Sequence, residues 1–179
     1  KIYVSPTKFI ENGTLLIKDG TVVNSGASVT IPANTVTIDL EGKSIYPSFI
    51  ELYSGFGIEK PKRTQGNSRP QYDSSREGFY WNDHIMPEQN ALDFYKYDKK
   101  SASELHKAGF GIVNTHMQDG IVRGTGSLIA LANDANDSER ILSAKSAQYS
   151  SMRKSVRSRQ SYPTSPMGVF ALLRQLKYD

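Results

Sequence analysis

Residues 44–57 read SIYPSFIELYSGFG, and this stretch decides how the rest of the chain is organised. Its apolar run, residues 45–52, is too short for an ordinary helix, is rich in strand formers and stops at a Ser-Gly-x-Gly turn. Those features predict a strand buried on both faces. Residues 51–55, at its end, are then placed to face a pocket.

Toward the amino terminus, residues 1–43 read as short strands. Thr14-Leu15-Leu16-Ile17 meets Thr21-Val22-Val23 across Lys18-Asp19-Gly20. Asp-Gly between two apolar runs predicts a hairpin, because both central positions of a type I′ turn require positive φ. Val36, Ile38 and Leu40 alternate with Thr35, Thr37 and Asp39, which predicts a half-buried strand closed by Glu41-Gly42. Residues 1–46 thus form a small β unit, and residues 47–179 form an α/β unit.

Toward the carboxyl terminus, residues 59–100 turn polar, with Pro61, Pro70, Pro87, Tyr72, Tyr80, Trp81, Tyr95 and Tyr97. Such length without periodicity predicts an elaborated surface loop. Ser101-x-x-Glu104 reads as a capping box, and Leu105, Ala108 and Gly109 complete a short helix. A strand at 111–116 follows, and strand, helix, strand implies a right-handed parallel crossover. Residues 127–132 form a further apolar strand, and residues 143–165, rich in Ser, Arg and Lys, are expected to be mobile. From Ser165-Pro166 onward, Val169, Leu172, Leu173 and Leu176 share one face of an amphipathic helix that needs something to lie on.

The chain has 179 residues, a net charge of +4 and no cysteine, so neither a disulfide framework nor a thiolate metal site is possible. Its basic excess is concentrated between residues 139 and 178, where Arg140, Lys145, Arg153, Lys154, Arg157, Arg159, Arg174 and Lys177 face only Glu139. No apolar run approaches the ~20 residues of a membrane-spanning helix. Starting at Lys1 rather than Met, the sequence reads as part of something longer, and its compartment is open.

Residues 12–20, Val22-Val23, Gly26, Ile38-Asp39-Leu40-Glu41-Gly42-Lys43 and Pro47-Ser48-Phe49-Ile50-Glu51-Leu52 together resemble the opening of a metal-dependent amidohydrolase of the imidazolonepropionase and dihydroorotase type. The similarity covers about residues 12–58, with weaker echoes at residues 108–113 and 123–127 and in the closing segment 162–168. It implies a small β-sandwich leading, through a Gly-Lys-x-x-x-Pro-Gly-Phe-Ile-Asp-x-His-x-His segment, into the first strand of a (β/α)8 barrel. It also implies hydrolysis of non-peptide C–N bonds through zinc or another divalent metal. The two metal-binding histidines of that motif map onto Tyr53 and Gly55, its Asp onto Glu51, and the Gly after Pro onto Ser48. Tyr is a poor ligand for a hydrolytic zinc and Gly offers none, so the sequence predicts no cofactor held by this chain. About 130 residues follow Ile45, whereas a complete barrel takes ~200 or more, so the barrel is incomplete.

The weak catalytic candidates are therefore Glu51, Tyr53 and His116. His116 closes the second parallel strand on the side where such folds place their pockets. His84, after Asn82-Asp83, reads as a surface hydrogen-bonding residue, and His106 as a structural cation in a last helical turn. Gly124-x-Gly126 reads as a turn rather than a phosphate loop. The basic run 153–162 is preferred as a solvated loop over a nucleic-acid contact, since no recognised module accompanies it. An unfinished sheet exposes unpaired edges, so the expected partner is the remainder of a longer polypeptide or a second copy, with the chain serving as a scaffold or interaction domain.

Overall fold

In the computed structural model, residues 1–69 and 82–178 are described; Pro70, Tyr72, Tyr80 and Trp81 of the expected aromatic loop lie outside the described residues. The chain divides into two units, Lys1–Ser48 and Phe49–Asp179.

The first unit is made of two antiparallel ribbons. β1 (Ile2–Ser5) pairs with β2 (Lys8–Ile10), and β3 (Thr14–Lys18) pairs with β4 (Thr21–Gly26). The β3–β4 hairpin is the one expected: Asp19 and Gly20 have φ of 50° and 72°, as a type I′ turn demands. Ile45 hydrogen-bonds alongside β1, and Tyr46 stacks on Tyr3 with ring centroids 4.4 Å apart. The expected β-sandwich is not formed, because Ile2 alone in this unit is buried. Residues 35–40 are not a strand. Their alternation is present, but no neighbouring strand supplies a ladder, and Val36 and Ile38 stand 86% and 77% exposed.

In the second unit, β5 (Phe49–Ser54) pairs in parallel with β6 (Phe110–Thr115), setting Phe49 beside Phe110 and Ser54 beside Thr115. The helix between them, α1 (Lys99–Lys107), covers β6 with Ala102 and Leu105. The parallel crossover expected from the sequence is therefore present. The barrel pattern stops there. β8 (Ser127–Ala130) pairs antiparallel to β6, and β9 (Ile141–Ser143) antiparallel to β8, giving the order β5-β6-β8-β9. A further parallel strand needs a long crossover, usually helical. Residues 116–126 hold instead β7 (Val122–Thr125), which pairs with β10 (Gln148–Ser150), and no closed barrel forms among the described residues.

β5 is an edge strand, not the doubly buried one expected. It is paired on one side only, and Phe49 and Leu52 are 64% and 66% exposed. The core lies one strand further in, where Phe56, Ala102, Val113, Ile129 and Leu131 are buried together. A second cluster answers what the last helix lies on: in α3 (Pro166–Tyr178), Val169 and Leu172 pack with Ile85 and Ile121. The short α2 (Asp137–Arg140) carries an Asn136–Glu139 capping box.

The cap of α1 is also corrected. Asp98, not Ser101, is the N-cap, and its carboxylate accepts the Lys100 and Ser101 N–H groups at 2.9 and 3.3 Å and the Ser101 hydroxyl besides. Those hydrogen bonds, the Ser101 hydroxyl's first, hold the Asp98 carboxyl below its ordinary range. Asp98→Ala should fray the first turn and lower the thermal midpoint by a few degrees, whereas Asp98→Asn should keep most of the cap; circular dichroism melts compare the two.

Candidate functional site

Parallel pairing brings the carboxyl ends of β5 and β6 to the same edge of the sheet, so Tyr53 and His116 meet there. Their rings lie 4.4 Å apart at 64°. A face of the His116 ring is stacked on Tyr149, at 3.6 Å and 6°, and the Tyr149 hydroxyl donates to the Leu52 carbonyl at 2.7 Å. Two distant segments thus pack against one imidazole. Glu51, the third candidate, is not part of this cluster; its Oε1 accepts the Tyr53 backbone N–H at 2.9 Å.

The charged centre of the site is a residue that sequence reasoning passed over. Arg123, on β7, is 4% exposed. Its Nε donates to the Gly120 carbonyl at 3.1 Å, its Nη1 to the Tyr53 hydroxyl at 2.5 Å and its Nη2 to the Ser151 hydroxyl at 3.1 Å. All three acceptors are neutral. Ser151 in turn donates to the Gly120 carbonyl at 2.9 Å, locking the arrangement. The signals in the sequence were a lone Arg inside the apolar run Ile121-Val122-Arg123-Gly124 and its place at the start of the weak family echo at residues 123–127.

His116 is fully buried, and burial first, then the Arg123 charge, drops its pKa to about 4. It is a neutral imidazole at ordinary pH. Its Nε2 lies 3.1 Å from the Gln118 amide nitrogen, whose N–H it accepts. The same Gln118 side chain fills the space beside Gly55, where an added Cβ would meet Gln118 Cγ at 2.9 Å.

These residues do not fit the divalent metal implied by the family resemblance. The Tyr53 oxygen accepts from a guanidinium, Gly55 has no donor and its space is taken, and the His116 Nε2 lone pair faces an amide. Among the described residues, no three His, Asp or Glu side chains come together as a metal-binding group.

Below Arg123, Asp119 is nearly buried and receives Ser155 Oγ at 2.6 Å, Arg157 Nε at 2.8 Å and the Val156 N–H at 2.8 Å. Burial pushes its carboxyl up, but these hydrogen bonds and the Arg157 charge outweigh it and hold the group below the usual carboxylate range. His84 is buried rather than on the surface, because its Nδ1 accepts the Ser155 N–H at 3.0 Å; burial, then Lys154, lowers its pKa. His106 does sit in the last turn of α1. Residues 143–165, expected to be mobile, hold β10 and this network: Ser158 donates to Asp83 at 2.8 Å and Lys154 to the Ser161 carbonyl at 2.9 Å. The basic run is therefore folded inward in part rather than laid out as a phosphate-binding stripe. Gly124 lies within β7 rather than in a turn.

Two cavities open at this end of the sheet. One, of about 920 Å³, is lined by residues 55–62 together with Asp93, Lys96 and Asp119. The other, of about 470 Å³, is lined by Tyr53, Arg123, Ser151, Arg153 and Lys154, with Asp119 on its wall.

With this geometry in place, the class of fold can be compared with known proteins. A solved amidohydrolase from Thermotoga maritima MSB8 is similar over 90% of this chain, with a TM-score of 0.61 and 20% identity. The chain spans 41% of that protein's length. At such identity the likeness is one of fold. No family model matches the sequence, and no curated protein matches it. No helix among the described residues is long and apolar enough to cross a membrane.

Proposed function

We propose that the chain is the amino-terminal part of an amidohydrolase-like protein whose metal-binding strand tip is rebuilt around a guanidinium, so that it does not hydrolyse C–N bonds by itself. The observation that carries this reading is the Arg123–Tyr53 hydrogen bond: a cation is held by the residue that maps onto the first metal-binding histidine of the family motif. The resemblance over residues 12–58 and the fold likeness to an amidohydrolase support the lineage. A buried guanidinium beside His116 repels a divalent ion, and burial together with that charge keeps the imidazole neutral. Within a longer polypeptide, or beside a second copy, the chain serves as a scaffold whose open edge strand, β5, is completed by its partner.

The test is metal content and turnover of the full chain. After purification with zinc, manganese or iron supplied, elemental analysis should find substoichiometric metal. A panel of cyclic amides and imides should show no hydrolysis above buffer, with or without a chelator. Stoichiometric metal accompanied by chelator-sensitive turnover would reverse the reading.

A further inference from the structure

We infer that the 470 Å³ cavity at the tip of β5 is a binding site for a small oxyanion, a carboxylate or phosphate group, held by Arg123 and Tyr53. A guanidinium carries five N–H donors, and three of those of Arg123 are used. One N–H on each terminal nitrogen is left without a protein acceptor among the described residues. Nor does any carboxylate among them pair with this cation. Burying an unpaired charge is costly, and a native protein retains one where something supplies the counter-charge.

The walls of the cavity point the same way. Tyr53 accepts from Arg123, which leaves its own hydroxyl hydrogen to donate. Arg153 and Lys154 line the cavity and make no ion pair among the described residues. Among the described residues Asp119 is the one carboxylate on the wall, and its charge is already matched by Arg157 at 2.8 Å. The neutral His116 adds no competing charge. Two terminal N–H groups of one guanidinium form a fork suited to two oxygens of one carboxylate or phosphate, and the volume is that of a small-ligand pocket. The site goes beyond the proposed function, because it stands whether or not the chain hydrolyses anything.

Isothermal titration of the full chain with malonate, and separately with inorganic phosphate, tests the assignment. Saturable one-site binding is expected with at least one of them, weakening as salt is raised; the better binder tells a carboxylate ligand from a phosphate one. Tyr53→Phe, on a half-exposed ring, should weaken binding roughly tenfold, and Arg123→Gln should abolish it. Should Arg123→Gln fail to fold by circular dichroism, Tyr53→Phe decides alone. The proposal is overturned if neither anion gives saturable heat. It is equally overturned if binding survives Tyr53→Phe and, where folded, Arg123→Gln, or if only an oligonucleotide binds.

Discussion

Gly124→Ala should destabilise the Phe49–Asp179 unit by about 4 kcal/mol or more, a large share of the roughly 5–15 kcal/mol that holds a domain folded. Gly124 has φ of 81°, a left-handed conformation that costs any L-residue about 1 kcal/mol. The larger part is steric. A Cβ at this position would be driven into the Gln89 backbone carbonyl, with Gln89 Cα only 3.0 Å away. That carbonyl is pinned, since it accepts the Thr125 N–H at 2.7 Å while Asn90 bridges to Thr125. Neither β7 nor the segment at Gln89 can retreat without breaking that Thr125–Gln89 hydrogen bond. Urea denaturation followed by intrinsic fluorescence should show the loss. Adding Gln89→Ala should not rescue it, because the obstacle is backbone. A Gly124→Ala protein of wild-type stability would show that the β7 register is wrong.

The second large effect is on acid stability. His116 titrates near 4 in the folded chain against about 6.5 when unfolded. Above pH 6.5 both states hold the ring neutral, and it contributes no pH dependence. Between pH 6.5 and 4 the unfolded chain takes up a proton that the folded chain refuses, so stability falls with pH. Over that window the loss amounts to about 3 kcal/mol. His84, also lowered by burial, adds in the same direction. His116→Phe keeps a ring to stack on Tyr149 but cannot titrate. It should flatten the decline measured by denaturation at a series of pH values, and an unchanged slope would remove His116 from the cause.

What could be read in the sequence was local. The Asp19-Gly20 hairpin, the strand after Gly109 and the apolar face of α3 follow from turn chemistry and periodicity within a few residues, and the parallel partnership of β5 and β6 from the order strand, helix, strand. What could not be read depends on neighbours far along the chain. Val36, Ile38 and Leu40 alternate correctly but have no strand to pair with, and β5 carries the composition of a buried strand at the edge of a sheet. The cap of α1 moved to Asp98 because a carboxylate at that position reaches two N–H groups, and the helix begins before the Ser101–Glu104 pattern. In the candidate site, Tyr53 and His116 were visible as strand ends. Arg123, Asp119, Tyr149 and Ser151 were not, since nothing in their flanking residues announces the contacts that give them meaning. Glu51, picked out as the motif's carboxylate, bonds only its own strand among the described residues.

The pairing of β5 with distant segments sets an order of assembly. The β3–β4 hairpin closes over two residues, an event of about microseconds. β5 must instead wait for Phe110, then for Arg123, 70 residues beyond Tyr53, and finally for Tyr149, 97 residues beyond Leu52. Each closure carries the entropy of a longer loop, which slows folding dominated by such contacts. On the ribosome, β5 is therefore made before each of the segments it pairs with or bonds to. Even in the folded chain Phe49, Ile50, Leu52 and Tyr53 stay at least half exposed, so these closures hold the strand in place without covering its apolar side chains.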